Sequence, residues 1–307
     1  MRNVGNDGRW WVRQMRIGFI GLGAMGSAIA LNLLDNGVDV VCWNRSSSAT
    51  EPLAAVGATV ADDVRDVLQM DIVLSMLADD EAVRQIFTES ALAAARNGGI
   101  HVAMETLSPR EAQLSAKRHR DAGIGYVAAP VIGRPPVARA GQLHIICAGV
   151  AAAVQDVQPI LDIAGTKTWT FGENPSVANV VKACVNFTII HALQAMGESM
   201  ALLDASAVDP TEFIGLLNQS LFPGPVYEGY GRMIATRQYT PPGFDVKLGL
   251  KDLSIAEQIA GDTGVTLPSV ATLRSSFEKT LANAELSGHD WSVIAETLRS
   301  RSIGLRS

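Results

Sequence analysis

The sequence predicts an α/β protein, in which a doubly wound parallel sheet is followed by a long helix and an all-helical second half. Three observations predict it. Glycines stand at GxGxxG spacing, at positions 21, 23 and 26, directly after a run of branched residues. Strand-like and helix-like runs then alternate through the first half of the 307-residue chain. Beyond residue 176 the alternation stops and only helical patterns follow. Alternation of the first kind builds a parallel sheet with helices on both faces.

The first strand is Arg16–Ile20, RIGFI, with the branched composition of a buried parallel strand. Gly21 permits a tight turn, Gly23 lets backbone approach a pyrophosphate, and Gly26 lets the next helix pack on the strand. The helix over 24–34 opens with Ala24, Met25 and Gly26 and ends at Asn36-Gly37, a C-cap signal. Its first turn, with Leu22 just before it, offers free N–H groups and the positive end of a helix dipole to phosphate. The strand Asp39–Trp43 completes the dinucleotide-binding unit of a Rossmann domain.

The end of that second strand selects the dinucleotide. NAD sites usually place Asp or Glu about 20 residues after the glycines, on the ribose 2′-hydroxyl. Here Asn44, Arg45, Ser46 and Ser47 follow, with no carboxylate. A guanidinium and hydroxyls suit a 2′-phosphate, and Asn44 removes the anion that would repel it. The pattern favours NADP(H) over NAD(H). The alternative is that Arg45 is a solvated residue after a strand.

Further strands are expected at 71–77, 99–104, 125–129 and 143–148, with one more at 168–171, and helices at 81–96 and 109–122. Thr106 follows the strand ending at Met104, so its hydroxyl lies at the carboxyl edge, where open α/β sheets gather ligands. Ser108-Pro109 is equally an ordinary helix start. Residues 129–135, APVIGRP, form a Gly/Pro loop after another strand edge and invite the same double reading. The sheet domain is expected over 15–176 and the helical domain over 177–307. Residues 1–14 lack the apolar core of a signal peptide and read either as a disordered extension or as sequence before a natural start at Met15.

Residues 177–207 run without proline and are apolar on nearly every face, which predicts a helix buried in a large core or a subunit interface. Helices at 210–218, 226–235, 246–261, 269–284 and 291–300 follow. Within the long helix, Lys182 and Asn186 share a face, bordered by Asn179. Apolar neighbours disfavour the ammonium form, so the Lys182 amine is expected to titrate nearer neutrality. Such a group suits a general acid that protonates a carbonyl oxygen, with Asn186 orienting that oxygen or a carboxylate. The bland alternative is a lysine snorkelling to the helix surface. Lys251-Asp252, taken alone, reads as a solvated charge pair.

Composition narrows the class. Hydrophobic residues make up 48% and charged residues 18%, and the net charge of −6 argues against a dedicated nucleic-acid partner. No run of about 20 apolar residues is free of polar breaks, so no clear membrane span is read. Cys42, Cys147 and Cys184 lie in apolar runs and read as buried thiols of a reducing, cytoplasmic compartment. The five histidines are scattered without ligand spacing, so no metal site is expected.

These motifs together make the chain similar to the β-hydroxyacid dehydrogenase family, from Met15 onward. GFIGLGAMG resembles the family's cofactor fingerprint, and NRS the ending of its NADP-preferring members. The resemblance implies cofactor contacts from Leu77 and Ala78, matching a Leu-Pro pair, from Thr106 in ETLSP, and from Lys251 in LGLKDLSIA. It makes Lys182 of VVKACVN the acid/base and Asn186 its partner. It assigns the substrate loop to Ile132, Gly133 and Arg134, where Ile132 replaces a serine and Arg134 a glycine. Glu105 likewise stands where a serine is usual. The implied protein is an NADP-dependent oxidoreductase of small aldehydes or β-hydroxyacids, a homodimer or homotetramer. An imine reductase, which usually carries Asp or Tyr in place of Lys182, and a non-catalytic dinucleotide-binding protein are the rivals.

Overall fold

The computed structural model describes residues 16–299; the expected extension at 1–14 lies outside the described residues. Two compact units divide between Lys182 and Ala183. Among the described residues, the first unit holds β1 (Arg16–Ile20), β2 (Asp39–Trp43), β3 (Thr59–Val60), β4 (Ile72–Ser75), β5 (Ile100–Ala103), β6 (Gly125–Ala128), β7 (Val131–Ile132), β8 (Leu143–Gly149) and β9 (Gly165–Thr170). From β3 through β2, β1, β4 and β5 to β6 every pairing is parallel. The chain order reverses beside β1, which has β2 on one side and β4 on the other. A crevice opens at such a switch point, outside the carboxyl ends of the strands.

The sheet is mostly rather than wholly parallel. β8 runs antiparallel to β6 and β7, and β9 runs parallel to β8. The reason is length: a parallel return needs a crossover of about a dozen residues or more. The link from β7 to β8 carries only the short helix Pro135–Arg139. The partners Ala128↔Ala148 and Val131↔Ile145 keep one register, so β6 and β7 form a single extended segment. Between them the Pro130 carbonyl accepts from the Ile146 N–H at 2.9 Å. The expected loop over 129–135 therefore contains the short strand β7 at Val131–Ile132 and the start of the helix Pro135–Arg139.

Other differences are local. The region expected as one helix over 81–96 is two, Asp80–Ile86 and Glu89–Ala93, because the Thr88 side chain caps the second by accepting from the Ala91 N–H. The helix Ala151–Ala164 was not expected; it has no side-chain cap and carries Pro159 inside. One face of the sheet packs Ile29 and Leu33 with Val157 and Leu161. The other packs Val83, Phe87, Leu92 and Leu107.

The long helix, Pro175–Ala205, leads into the second unit. That unit's described residues contain helices and turns but no strand, with helices at Pro210–Ser220, Gly231–Thr236, Val246–Thr263, Val270–Ala282 and Glu296–Arg299. They close on Leu253, Phe277, Trp291 and Ile294. The long helix is not buried all round: Leu202 is 72% exposed. Cys184 is exposed too, so only Cys42 and Cys147 are the buried thiols expected of all three. By length and composition the helix could cross a membrane, a span the sequence reading did not pick out; 44% of its most apolar window is buried within the protein.

Gly249 lies on the helix Val246–Thr263, where an added Cβ would stand 2.6 Å from Phe277 Cε1 and 2.9 Å from Trp291 Cε3. Both rings are buried and have little room to give. Gly249→Ala is expected to lower stability by about 1–2 kcal/mol, overpacking outweighing the gain in helix propensity. Denaturant unfolding checks this: unchanged or raised stability would contradict the packing.

Candidate functional site

The glycine turn is built by crowding. Gly21 has φ +91°, and a Cβ there would stand 2.5 Å from the Met76 carbonyl oxygen. A Cβ on Gly26 would overlap the Gly21 carbonyl oxygen. Gly23 differs, for its Cβ would meet no atom within 4 Å. That space lies over the N-terminus of the helix Ala24–Asp35, whose N-cap Gly23 has no capping side chain. The backbone around Ala24, Met25 and Gly26 therefore presents a helix N-terminus to an open space, which fits a pyrophosphate.

Asn44 reaches across from the end of β2. Its Oδ1 accepts from the Leu22 N–H at 2.9 Å, and its Nδ2 donates to the Ser46 carbonyl at 3.0 Å. This side chain fixes the turn from below, a positioning part that its sequence context did not reveal. Arg45 is exposed and has no ion-pair partner among the described residues. Ser46 Oγ lies 3.0 Å from Ser48 Oγ. An exposed arginine and two paired hydroxyls thus follow one another along the chain after β2, the residue types that suit a 2′-phosphate.

Two further loops leave the same carboxyl edge. After β4 come half-buried Leu77, packed near Gly21, and exposed Ala78. After β5 the loop 104–108 carries half-buried Thr106. That loop is fastened twice. The Leu107 N–H points to Asn179 Oδ1 at 3.4 Å, and Ser108 donates through N–H and Oγ to the Asp80 carboxylate at 2.9 and 2.6 Å.

In the β7 region Ile132 is half-buried and pairs with His144. Gly133 has φ +147°, and Arg134 is the N-cap of Pro135–Arg139 without a side-chain capping bond. Along the long helix Asn179, Lys182 and Asn186 are all buried, at 1%, 9% and 4% exposure. Taken as a whole residue, Lys182 is buried although its side chain ends in an amine.

Within the second unit, Asn186 Nδ2 donates to Asp252 Oδ2 at 2.5 Å, and Lys251 Nζ lies 3.4 Å from Asp252 Oδ1. Asp252 is 1% exposed. The reading of Lys251-Asp252 as a solvated pair is thereby corrected. Asp252 sits on the buried stripe of its helix with Gly249 and Ala256, and that spacing was the available signal. Its carboxylate holds the Asn186 amide in one orientation. Among the described residues no group of His, Cys, Asp and Glu has metal-ligating geometry.

Comparison with known proteins identifies the family and the fold. Residues 16–172 match the model of the NAD binding domain of 6-phosphogluconate dehydrogenase. Residues 177–298 match that of the NAD-binding domain of NADP-dependent 3-hydroxyisobutyrate dehydrogenase. The chain is 35% identical over 288 residues to the uncharacterized oxidoreductase YfjR of Bacillus subtilis, covering 93% of this chain and 100% of that one. It is 30% identical to 2-hydroxy-3-oxopropionate reductase of Escherichia coli, over 88% of this chain and 92% of the relative. In fold it is similar to Mycobacterium tuberculosis 3-hydroxyisobutyrate dehydrogenase, solved with L-serine, at TM-score 0.83 and 24% identity, covering 93% and 99% of the two chains.

Asn44→Ala removes the acceptor for the Leu22 N–H and is expected to cost about 1–3 kcal/mol of stability. It should also weaken NADH and NADPH alike, because it loosens the turn that both share. Calorimetric titration of the two nucleotides checks this, and an effect on one alone would contradict the positioning part.

Proposed function

This chain belongs to the β-hydroxyacid dehydrogenase family, and on that premise we propose that it is an NADP(H)-dependent reductase of small aldehydes and semialdehydes, oxidising a β-hydroxyacid or alcohol in reverse. It is an oxidoreductase with NAD(P)-binding domains, acting on CH–OH groups. The preference for NADP(H) is supported by Arg45, exposed beside Ser46 with no carboxylate at the end of β2. The glycine turn (Gly21, Leu22, Gly23) and the helix start (Ala24, Met25, Gly26) would hold the pyrophosphate. Asn44, Arg45 and Ser46 would hold the 2′-phosphate side. Leu77, Ala78, Thr106 and Lys251 would complete the cofactor's surroundings.

The single observation that carries the catalytic reading is the burial of Lys182 beside Asn179 and Asn186 on one helix. When bound, NADPH supplies a hydride to the carbonyl carbon. Lys182 gives its proton to the carbonyl oxygen as that carbon is reduced, and takes it back in the oxidative direction. Asn186, held by Asp252, donates to the same oxygen or to a substrate carboxylate. Ile132, Gly133 and Arg134 face the substrate's remainder. Ile132 offers no hydroxyl to a carboxylate and favours a less polar substrate, unless Arg134 supplies the missing contact. The same reading includes a cytoplasmic homodimer or homotetramer.

Lys182→Ala is expected to bind NADPH as the parent does while kcat falls about 10²–10⁴-fold. Stopped-flow reduction with nucleotide fluorescence checks both halves, and unchanged turnover would refute the acid/base role. Arg45→Ala should weaken NADPH by roughly 10- to 100-fold and leave NADH nearly unchanged. A screen of glyoxylate, succinic semialdehyde, tartronate semialdehyde, neutral aldehydes and cyclic imines, read by NADPH oxidation, decides the substrate. Turnover confined to cyclic imines would defeat the aldehyde reading.

A further inference from the structure

Three strands at the antiparallel margin of the sheet carry a row of side chains that the steps above do not use. Ile132 of β7 pairs with His144 of β8, and His144 pairs with Lys167 of β9. Side chains so paired share one face, about 5 Å from neighbour to neighbour. Their alternates Val131, Leu143 and Ile145 pack into the core on the opposite face. Trp169, two residues beyond Lys167, completes the row. Its Nε1 lies 3.4 Å from His144 Nδ1, and Lys167 Nζ stands 3.8 Å from the centre of its ring.

Each contact fixes an orientation. An indole N–H can only donate, so His144 Nδ1 accepts and the proton of that ring sits on Nε2. Nε2 makes no hydrogen bond among the described residues. The face of the Trp169 ring attracts the Lys167 ammonium, which has no ion pair among the described residues. His144, Lys167 and Trp169 are all exposed. Two donors, one of them cationic, thus stand beside Ile132 with no carboxylate paired to either.

Their place along the sheet selects what they would hold. β8 runs antiparallel to β6, so its first residues lie at the carboxyl edge, and β9 starts beside them. From β2 across that edge the strand order is β2, β1, β4, β5, β6, β8, with β9 outermost. The cofactor residues proposed above follow the same order: Arg45 after β2, the glycine turn after β1, Leu77 after β4 and Thr106 after β5. Lys167 is six strands away from β2, roughly 29 Å at about 4.8 Å each, which is out of reach of a 2′-phosphate beside Arg45. The row stands past the other end of the cofactor series, next to the loop that would face the substrate.

We propose that His144 and Lys167 form an anion subsite for the carboxylate of a semialdehyde substrate, making the contact for which Ile132 has no hydroxyl. His144 Nε2–H and the Lys167 ammonium donate to the carboxylate oxygens, and Trp169 holds both donors in place. No bond is made or broken there, so the subsite sets which aldehydes bind and leaves the hydride step alone. This deepens the reductase reading and rests on it for the reaction; the capture of a carboxylate does not.

Succinate, a dicarboxylate with no carbonyl to reduce, is the binding probe. Added to the full chain, it should shift the side-chain nitrogen resonances of His144 and Trp169. Lys167→Gln should weaken succinate about tenfold, and Lys167→Arg should restore it to within about threefold. His144→Phe keeps a ring but has no N–H, and should weaken succinate about fivefold. In turnover, Lys167→Gln should raise KM for succinic semialdehyde about tenfold with kcat unchanged, and leave KM for butanal, of equal chain length, within about twofold.

A lysine on an edge strand also deters edge-to-edge pairing of sheets, and that role alone would move neither KM. Unchanged KM values therefore overturn the subsite. So does a rise shared equally by succinic semialdehyde and butanal, or a succinate affinity that none of the variants alters. If succinate binds as expected while the wild type reduces neither aldehyde, the reductase reading fails and the anion subsite stands.

Discussion

The carboxyl edge of the sheet depends on how closely three stretches of backbone approach one another after β1. Gly21 turns against the Met76 carbonyl, and Gly26 lies against the Gly21 carbonyl. A methyl group at either place would force β1, β4 and the first helix apart. Their approach puts the helix N-terminus at the point where chain order reverses beside β1. The Asn44 amide then locks the turn to the end of β2. Gly23 stands open between these two crowded positions, and it is at Gly21 and Gly26 that only hydrogen fits as a side chain.

A second theme is polar groups taken out of water in matched sets. Asn179 faces the Leu107 N–H, Asn186 faces Asp252, and Glu111 faces Arg84 and Arg118. An unpaired buried polar group costs one to several kcal/mol, so each partner constrains the position of the other. The long helix is accordingly more than an apolar rod. Its inward polar residues tie it to the loop after β5 in one unit and to the helix Val246–Thr263 in the other.

Much of this was legible in the sequence because the strongest signals are local. β1, the glycine turn and β2 declare themselves by composition and spacing within thirty residues. β3 and β7 do not, because two-residue strands have no periodicity and exist only through their neighbours' hydrogen bonds. The antiparallel run of β8 follows from connection length, which propensity does not encode. The helix Ala151–Ala164 was hidden by its internal proline and missing cap. Lys182 and Asn186 could be paired by helical spacing, whereas Asp252 was obscured by adjacency to Lys251, which suggested a surface pair. His101 and His119 looked scattered because the fold joins them across a strand and a helix. Cys184 stands among apolar neighbours, yet falls on the outward side of its helix.

The continuous register of β6 and β7 has a consequence for how such a protein diversifies. The first part of that segment is pinned between β5 and β8, but the second rises past the last parallel rung and leans on β8 alone. Ile132, Gly133 and Arg134 thus form a parapet on the antiparallel margin, and the helix that follows them, Pro135–Arg139, packs on the helix Ala24–Asp35, where Asn32 Nδ2 donates to the Arg139 carbonyl at 3.3 Å. A substitution in that parapet is therefore felt by the helix that follows the glycine turn, so the two parts of the sheet edge change together rather than one at a time.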